Sequence, residues 1–238
     1  MVLKALDIYK LLPKKNCKEC GEPTCLTFAM KLAGGKAKPE HCPYLDQHAK
    51  EVLGASTRPP IQRVKIGVGE RSFTVGEELV QFRHEKTFFH EPGIMVAVSD
   101  LMESGEIQKT AIRVRDGIIT RIGADLRLNG IAVRCESGSP DRFAEAVRAV
   151  EAVADLPEVL MADDPVVLEA GLSICGNYRP LIHAATRASY KELSALARKY
   201  GCPLSVRGGS LDELAELTGL CREEGASHLV LDLSSTSL

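Results

Sequence analysis

Residues 131–165 read "IAVRCESGSPDRFAEAVRAVEAVADLPEVLMADDP", and this stretch decides the fold. Its first five residues are mostly apolar and end at a Ser- and Gly-rich turn, the pattern of a short buried strand. Ser139-Pro140 follows: an N-cap residue and a proline in the first helical turn, where its missing N–H costs nothing. Apolar residues then recur at helical intervals through "RFAEAVRAVEAVAD". A second strand, "EVLMA" (158–162), leads to Asp164-Pro165, another helix start. Strand, capped helix and strand make a parallel β/α unit.

The same unit repeats on both sides. Strands are expected at "GIMVAVS" (93–99), "IAVRC" (131–135), "EVLMA" (158–162), "PLIHA" (180–184), "PLSVR" (203–207) and "HLVLD" (228–232). From the second onward they begin 22 to 27 residues apart, room for one helix of three or four turns. Ser189…Glu192 and Ser210…Glu213 have capping-box spacing. "AIRVRDGIITRIG" is ambiguous, because Asp116-Gly117 sits within alternation while Ile107, Ala111, Val114, Ile118 and Ile122 form a helical stripe. A helix is expected there, since it completes the first unit. No glycine-rich phosphate turn follows the first strand, and "GVGERS" lacks the third glycine of that fingerprint. The chain is therefore expected to be α/β, with an incomplete TIM (β/α)8 barrel over residues 93–238 showing six of eight strands.

Towards the N-terminus, "RPP" (58–60) is a stiff joint. Residues 58–92 read as a linker with short strands, Val64, Ile66, Val68, Phe73 and Val75 alternating with polar residues. Residues 1–57 form a separate small helical module.

That module is basic: residues 1–50 carry +4, while the whole chain carries −2, leaving −6 for the remainder. Interleaved aromatics are missing from it, which argues against nucleic acid. No apolar run reaches membrane-spanning length. The amphipathic start "MVLKALDIYKLLPKK" has no signal-peptide centre, so a cytoplasmic location is expected, where clustered thiols more often hold metal than pair.

Cys17, Cys20, Cys25 and Cys42 are spaced C-x2-C-x4-C-x16-C. Two ligands in a tight turn, a third just beyond and a fourth returning past the helix "CLTFAMKLAGG" can enclose a metal centre. Leu26, Phe28, Ala29 and Leu32 of that helix are candidates to cover it. Structural zinc also takes four thiolates, but its ribbons usually show two similar C-x2-C knuckles and one is present here. The single knuckle and the Cys42-Pro43 closure favour a cubane iron–sulfur cluster. Lys14, Lys15, Lys18, Lys31, Lys36 and Lys38 would offset its negative charge. Cys135, Cys175, Cys202 and Cys221 read as small core residues.

Two further features read as bland. His84 and His90 of "RHEKTFFH" fit packing better than a metal site, and "RGGS" (207–210) fits a turn with a cap better than a phosphate cradle. Asp100, Glu136, Asp163, Asp164, Thr186, Arg207 and Asp232 fall at strand ends, where barrel sites gather. No catalytic set stands out among them.

The cysteine module, "VLKALDIYKLLPKKNCKECGEPTCLTFAMKLA", and the connector "FRHEKTFFHEPG" strongly resemble the large (gamma) subunit of the corrinoid iron–sulfur protein. That family belongs to the acetyl-CoA decarbonylase/synthase (CO dehydrogenase/acetyl-CoA synthase) complex. The likeness extends over essentially all 238 residues. It implies a [4Fe-4S] cluster on Cys17, Cys20, Cys25 and Cys42, a TIM barrel, and a C-terminal cobalamin-binding domain absent from this portion. It also implies a role in one-carbon metabolism (the Wood–Ljungdahl pathway). There the family carries a methyl group on cobalt from a methyl-tetrahydropterin to acetyl-CoA synthase, while the cluster returns oxidised cobalt to Co(I). Implied partners are the small barrel subunit, a methyltransferase, and the acetyl-CoA synthase and CO dehydrogenase subunits. No activity is expected of this portion alone. An alternative is a pterin-dependent corrinoid methyltransferase barrel with a structural metal module. A membrane electron-transport subunit is disfavoured, because the ferredoxin-like cysteine runs that follow the module in such proteins are missing.

Overall fold

A computed structural model describes residues 4–34, 36–57, 61–77 and 90–234. The described residues fall into two compact units: one extends to Gln62, the other holds Arg63–Gly76 and residues 90 onward.

In the larger unit, alternation in the connector is realised as an antiparallel hairpin. β1 (Val64–Val68) pairs with β2 (Arg71–Val75), Val64 opposite Val75 and Ile66 opposite Phe73. Six parallel strands follow: β3 (Met95–Ser99), β6 (Gly130–Arg134), β7 (Glu158–Met161), β8 (Leu181–Ala185), β9 (Leu204–Gly208) and β10 (Leu229–Leu233). They lie side by side in chain order, with no reversal. The intervening helices are α4 (Ser104–Asp116), α5 (Pro140–Glu151), α6 (Pro165–Cys175), α7 (Tyr190–Tyr200) and α8 (Leu211–Glu223).

All five helices pack on one face of the sheet. Ile107 of α4, Phe143 of α5, Leu168 of α6, Leu193 of α7 and Leu217 of α8 share one core with the strand residues Ile131, Leu160, Ile182 and Leu204. Period-two alternation sends Ala132, Val159 and Leu181 to the opposite face, where Val64 and Ile66 of the hairpin cover them. Single winding of this kind leaves no strand-order switch point, the place where doubly wound sheets bind nucleotides.

The hairpin is also fastened by charge. Arg71, almost fully buried, donates to both oxygens of Glu151, to Glu158 Oε1 at 3.0 Å and to the Leu156 carbonyl. Burial, followed by the neighbouring Glu151, lifts the Glu158 carboxyl well above the usual range.

Most sequence-based helix starts are realised. Ser139, Asp164 and Ser210 each accept a backbone N–H from the first turn of their helix. Ser210 and Glu213 close the turn at "RGGS", since Glu213 Oε2 also takes the Gly209 N–H at 2.8 Å. The helix N-terminus there is filled by its own side chains. Ser189 departs from expectation: its hydroxyl accepts from Thr186 N instead of capping α7.

The ambiguous stretch requires a correction. The helix stops at Asp116, and residues 118–127 form a separate hairpin, β4 (Ile118–Arg121) with β5 (Ala124–Arg127). Ile107, Ala111 and Val114 are buried as the stripe requires, but Ile118 and Ile122 are exposed, Ile122 at 96%. The stripe continued in register past the point where the sheet could receive it. Gly117 ends the helix, and Gly123, at φ 76°, makes the hairpin turn.

Candidate metal centre

The smaller unit is built from three short helices: α1 (Ala5–Leu11), α2 (Cys25–Ala33) and α3 (Gln47–Thr57). Ile8, Leu12, Phe28, Ala29, Leu32, Leu45, Ala49 and Leu53 form its core, and Cys25 and Cys42 are part of that core. Leu26 is the exception among the covering residues expected on α2, since it faces solvent.

Each cysteine is placed by a local device. Cys25 is the first residue of α2, whose N-cap Thr24 accepts the Thr27 N–H at 3.1 Å. The Cys25 N–H donates to Asn16 Oδ1 at 2.8 Å, which draws the Cys17 loop onto the helix end. Cys42 closes the short 3-10 turn Pro39–His41 and is buried. Cys20 is half-buried and Cys17 exposed.

The four thiols converge. Burial raises the Cys42 pKa, and Cys20, Cys17 and Cys25 raise it further by proximity, while the Tyr44 backbone N–H opposes the shift. Loop backbone between them is unusual: Lys14, Asn16 and Lys18 adopt left-handed φ angles of 56°, 48° and 67°, and Gly21 one of 81°. Lys14 and Lys18 in that region cost roughly 1–2 kcal/mol each, while asparagine enters it more readily. Such a loop persists when something it surrounds over-determines it.

Among the described residues, the only group of three or more His, Cys, Asp or Glu with ligand atoms all within 4.8 Å is Glu151, Glu158 and Cys175. The Arg71 guanidinium already supplies the cation there. No three of the four N-terminal thiols meet the same limit, whereas thiolates around one zinc, with bonds near 2.3 Å, sit about 3.8 Å apart.

Other sequence candidates are scattered. Arg207 and Asp232 meet at 3.2 Å, together with His183, a strand residue with no sequence signal beyond its strand position. Arg207 Nη2 donates to His183 Nδ1 at 3.1 Å, so the ring proton sits on Nε2 and goes to Asp232 at 3.0 Å. Burial and Arg207 lower the His183 pKa, keeping the ring neutral. Asp163 lies 3.7 Å from Arg207, at the same strand ends. Asp100 is a buried lock that accepts the Glu136 and Ser137 N–H groups. Glu136 bonds Ser99 and Arg134, Asp164 is a helix cap, and Thr186 bonds Ser189. His84 and Glu85 lie outside the described residues, while His90 Nδ1 bonds the Gly76 carbonyl oxygen at 2.8 Å. Cys175, Cys202 and Cys221 are buried and Cys135 half-buried. Among the described residues no helix is long and apolar enough to cross a membrane.

Comparison with known proteins agrees with this division. A family model described as "Putative Fe-S cluster" matches residues 12–44, which contain all four cysteines. The corrinoid/iron-sulfur protein large subunit of Moorella thermoacetica is 44% identical, over 98% of this chain and 52% of its own length. The acetyl-CoA decarbonylase/synthase complex subunit gamma of Methanopyrus kandleri is 42% identical, over 90% of this chain and 46% of its own. Subunit gamma 2 of Methanosarcina thermophila is 37% identical, over 95% and 50% respectively. The chain thus spans about half the length of these relatives. The family model described as "CO dehydrogenase/acetyl-CoA synthase delta subunit" matches residues 63–238, the whole β/α region, and the chain belongs to that family.

Proposed function

We propose that the chain is the iron–sulfur and scaffold portion of a corrinoid methyl carrier, with a [4Fe-4S] cluster on Cys17, Cys20, Cys25 and Cys42. The observation that carries this reading is the convergence of four thiols, too widely spread for one ion, around a loop of left-handed backbone. When bound, the cluster supplies single-electron chemistry suited to returning an oxidised corrinoid cobalt to Co(I). The chain's own residues hold and tune the site. The α2 N-terminus positions Cys25, Phe28 and Leu32 keep water from one side, and exposed Cys17 leaves the other side open to a redox partner.

The six strands in sequential order, with every helix on one face, support a (β/α)8 barrel wall for residues 93–238. The corrinoid would sit in a domain corresponding to the other half of the longer relatives, against a small barrel subunit. A methyltransferase would deliver the methyl group from a methyl-tetrahydropterin, and acetyl-CoA synthase would take it. These reactions belong in the cytoplasm.

Anaerobic purification should yield about four iron and four labile sulfides per chain, and an EPR signal after one-electron reduction. Cys20→Ala or Cys42→Ala should remove most of both. Stoichiometric zinc without labile sulfide would refute the assignment.

A further inference from the structure

At the end of the sheet opposite Arg207 and Asp232, just before β9 and β10, lies a cavity of about 240 Å³. Arg179, Arg198, Ser227 and His228 line it over a floor that includes Cys202, and no aspartate or glutamate is among its lining residues. The Arg179 side chain has no hydrogen-bond or ion-pair partner among the described residues, and Arg198 uses one donor, on the Glu224 carbonyl at 3.1 Å. At the other end, by contrast, Arg207 holds Asp232 and Arg134 holds Glu136.

The surroundings favour an anion. Helices α7 and α8 both end here, and bare C-terminal carbonyls would repel one. These ends are closed: Cys202 N donates to Ala197 O at 2.9 Å, and Ala226 N to Cys221 O at 3.0 Å. Gly201 and Gly225 make the closures at φ 65° and 90°. A Cβ there would lie 3.5 Å from Arg179 Nε and 3.3 Å from Arg198 Cδ, so glycine keeps room beside each arginine. Burial pushes the Cys202 thiol up to about 12, so it stays protonated and brings no opposing charge. Arg179 itself is held at a left-handed φ of 52°, with its carbonyl accepting the Gly67 N–H at 3.1 Å. That fixes the backbone from which its guanidinium projects.

We propose that this cavity binds a small phosphate-type oxyanion, inorganic phosphate or a phosphate monoester, between Arg179 and Arg198. Two guanidinium forks match a tetrahedral dianion in charge and geometry, whereas a carboxylate needs only one. Ser227 and His228 can donate to the remaining oxygens. The volume lies below the roughly 300 Å³ at which drug-sized sites begin, so the organic part is small. The inference does not rest on the proposed cluster.

The test is titration of the full cluster-loaded chain with inorganic phosphate at constant ionic strength, by calorimetry and 31P NMR. Saturable binding at one site is expected. Arg179→Gln and Arg198→Gln should each weaken it about tenfold or more, and Arg187→Gln, a surface control, should leave it unchanged. Circular dichroism and thermal melting of each variant separate lost affinity from lost fold, and Arg179, which makes no ion pair among the described residues, is the safer site. Heat that never saturates, unchanged affinity in folded Arg179→Gln, or acetate binding as tightly as phosphate would each overturn the proposal.

Discussion

Glu158 and His183 are both enclosed by the fold, and burial moves their pKa values in opposite directions. Glu158 is raised, so the folded state keeps a proton that the unfolded chain releases above about pH 4.3. Its contribution is complete below that pH and is lost as pH climbs towards the folded value. His183 is lowered, so the unfolded chain takes up a proton below about pH 6.5 while the folded chain does not. Its contribution is complete above that pH and is lost as pH falls. Urea unfolding of Glu158→Gln should therefore show a smaller decline in stability from pH 5 to pH 8 than the parent. His183→Gln should show a smaller decline on acidification below 6.5. Parallel curves for parent and variants would rule out both roles. In the smaller unit, the four thiols were legible as a group because their spacing brings them within reach. His183 was not legible, because nothing local in β8 announces that Arg207 and Asp232 arrive beside it from two later strands.

At the scale of elements, the β1–β2 hairpin and the α5–α6 pair are the contacts most open to test. Arg71→Met leaves the Glu151 carboxylate without its cation and Glu158 Oε1 without its donor, and removing one partner of such a group costs about 3–5 kcal/mol. Chemical denaturation should report that loss, and Arg71→Lys, which keeps the charge but not the fork, a smaller one. Gly171 of α6 faces Phe143 of α5, and a Cβ there would stand 2.7 Å from the ring carbon Cε1. Alanine normally gains about 1 kcal/mol over glycine inside a helix. Here the overlap should outweigh that gain, and Gly171→Ala should destabilise by about 1–3 kcal/mol. Pairing it with Phe143→Leu should recover part of the loss in a double-mutant cycle, and strict additivity would argue against the contact. The α4 boundary shows the limit of pattern reading. A helical stripe and a hairpin shared the same isoleucines, and sequence supplies no distance between them and the sheet.

At the scale of the whole molecule, β3 and β10 are the outer strands of the six among the described residues. Leu231 of β10 is 60% exposed on such an edge, a template for pairing with another chain. The chain is expected to self-associate through it, and Leu231→Lys should shift size-exclusion profiles towards monomer without altering helical content. An unchanged profile would place the sticky surface elsewhere, for instance on the exposed β4–β5 hairpin. The sequence by itself determined the repeated β/α unit, most helix caps and the grouping of the four thiols. All of these depend on residues within a turn or a few turns of one another. Tertiary structure alone decided that the strands lie in chain order, that Arg71 reaches across to Glu158, and that Arg179 and Arg198 share one cavity. Those contacts join residues tens of positions apart, and burial and charge act on them only after the chain has folded.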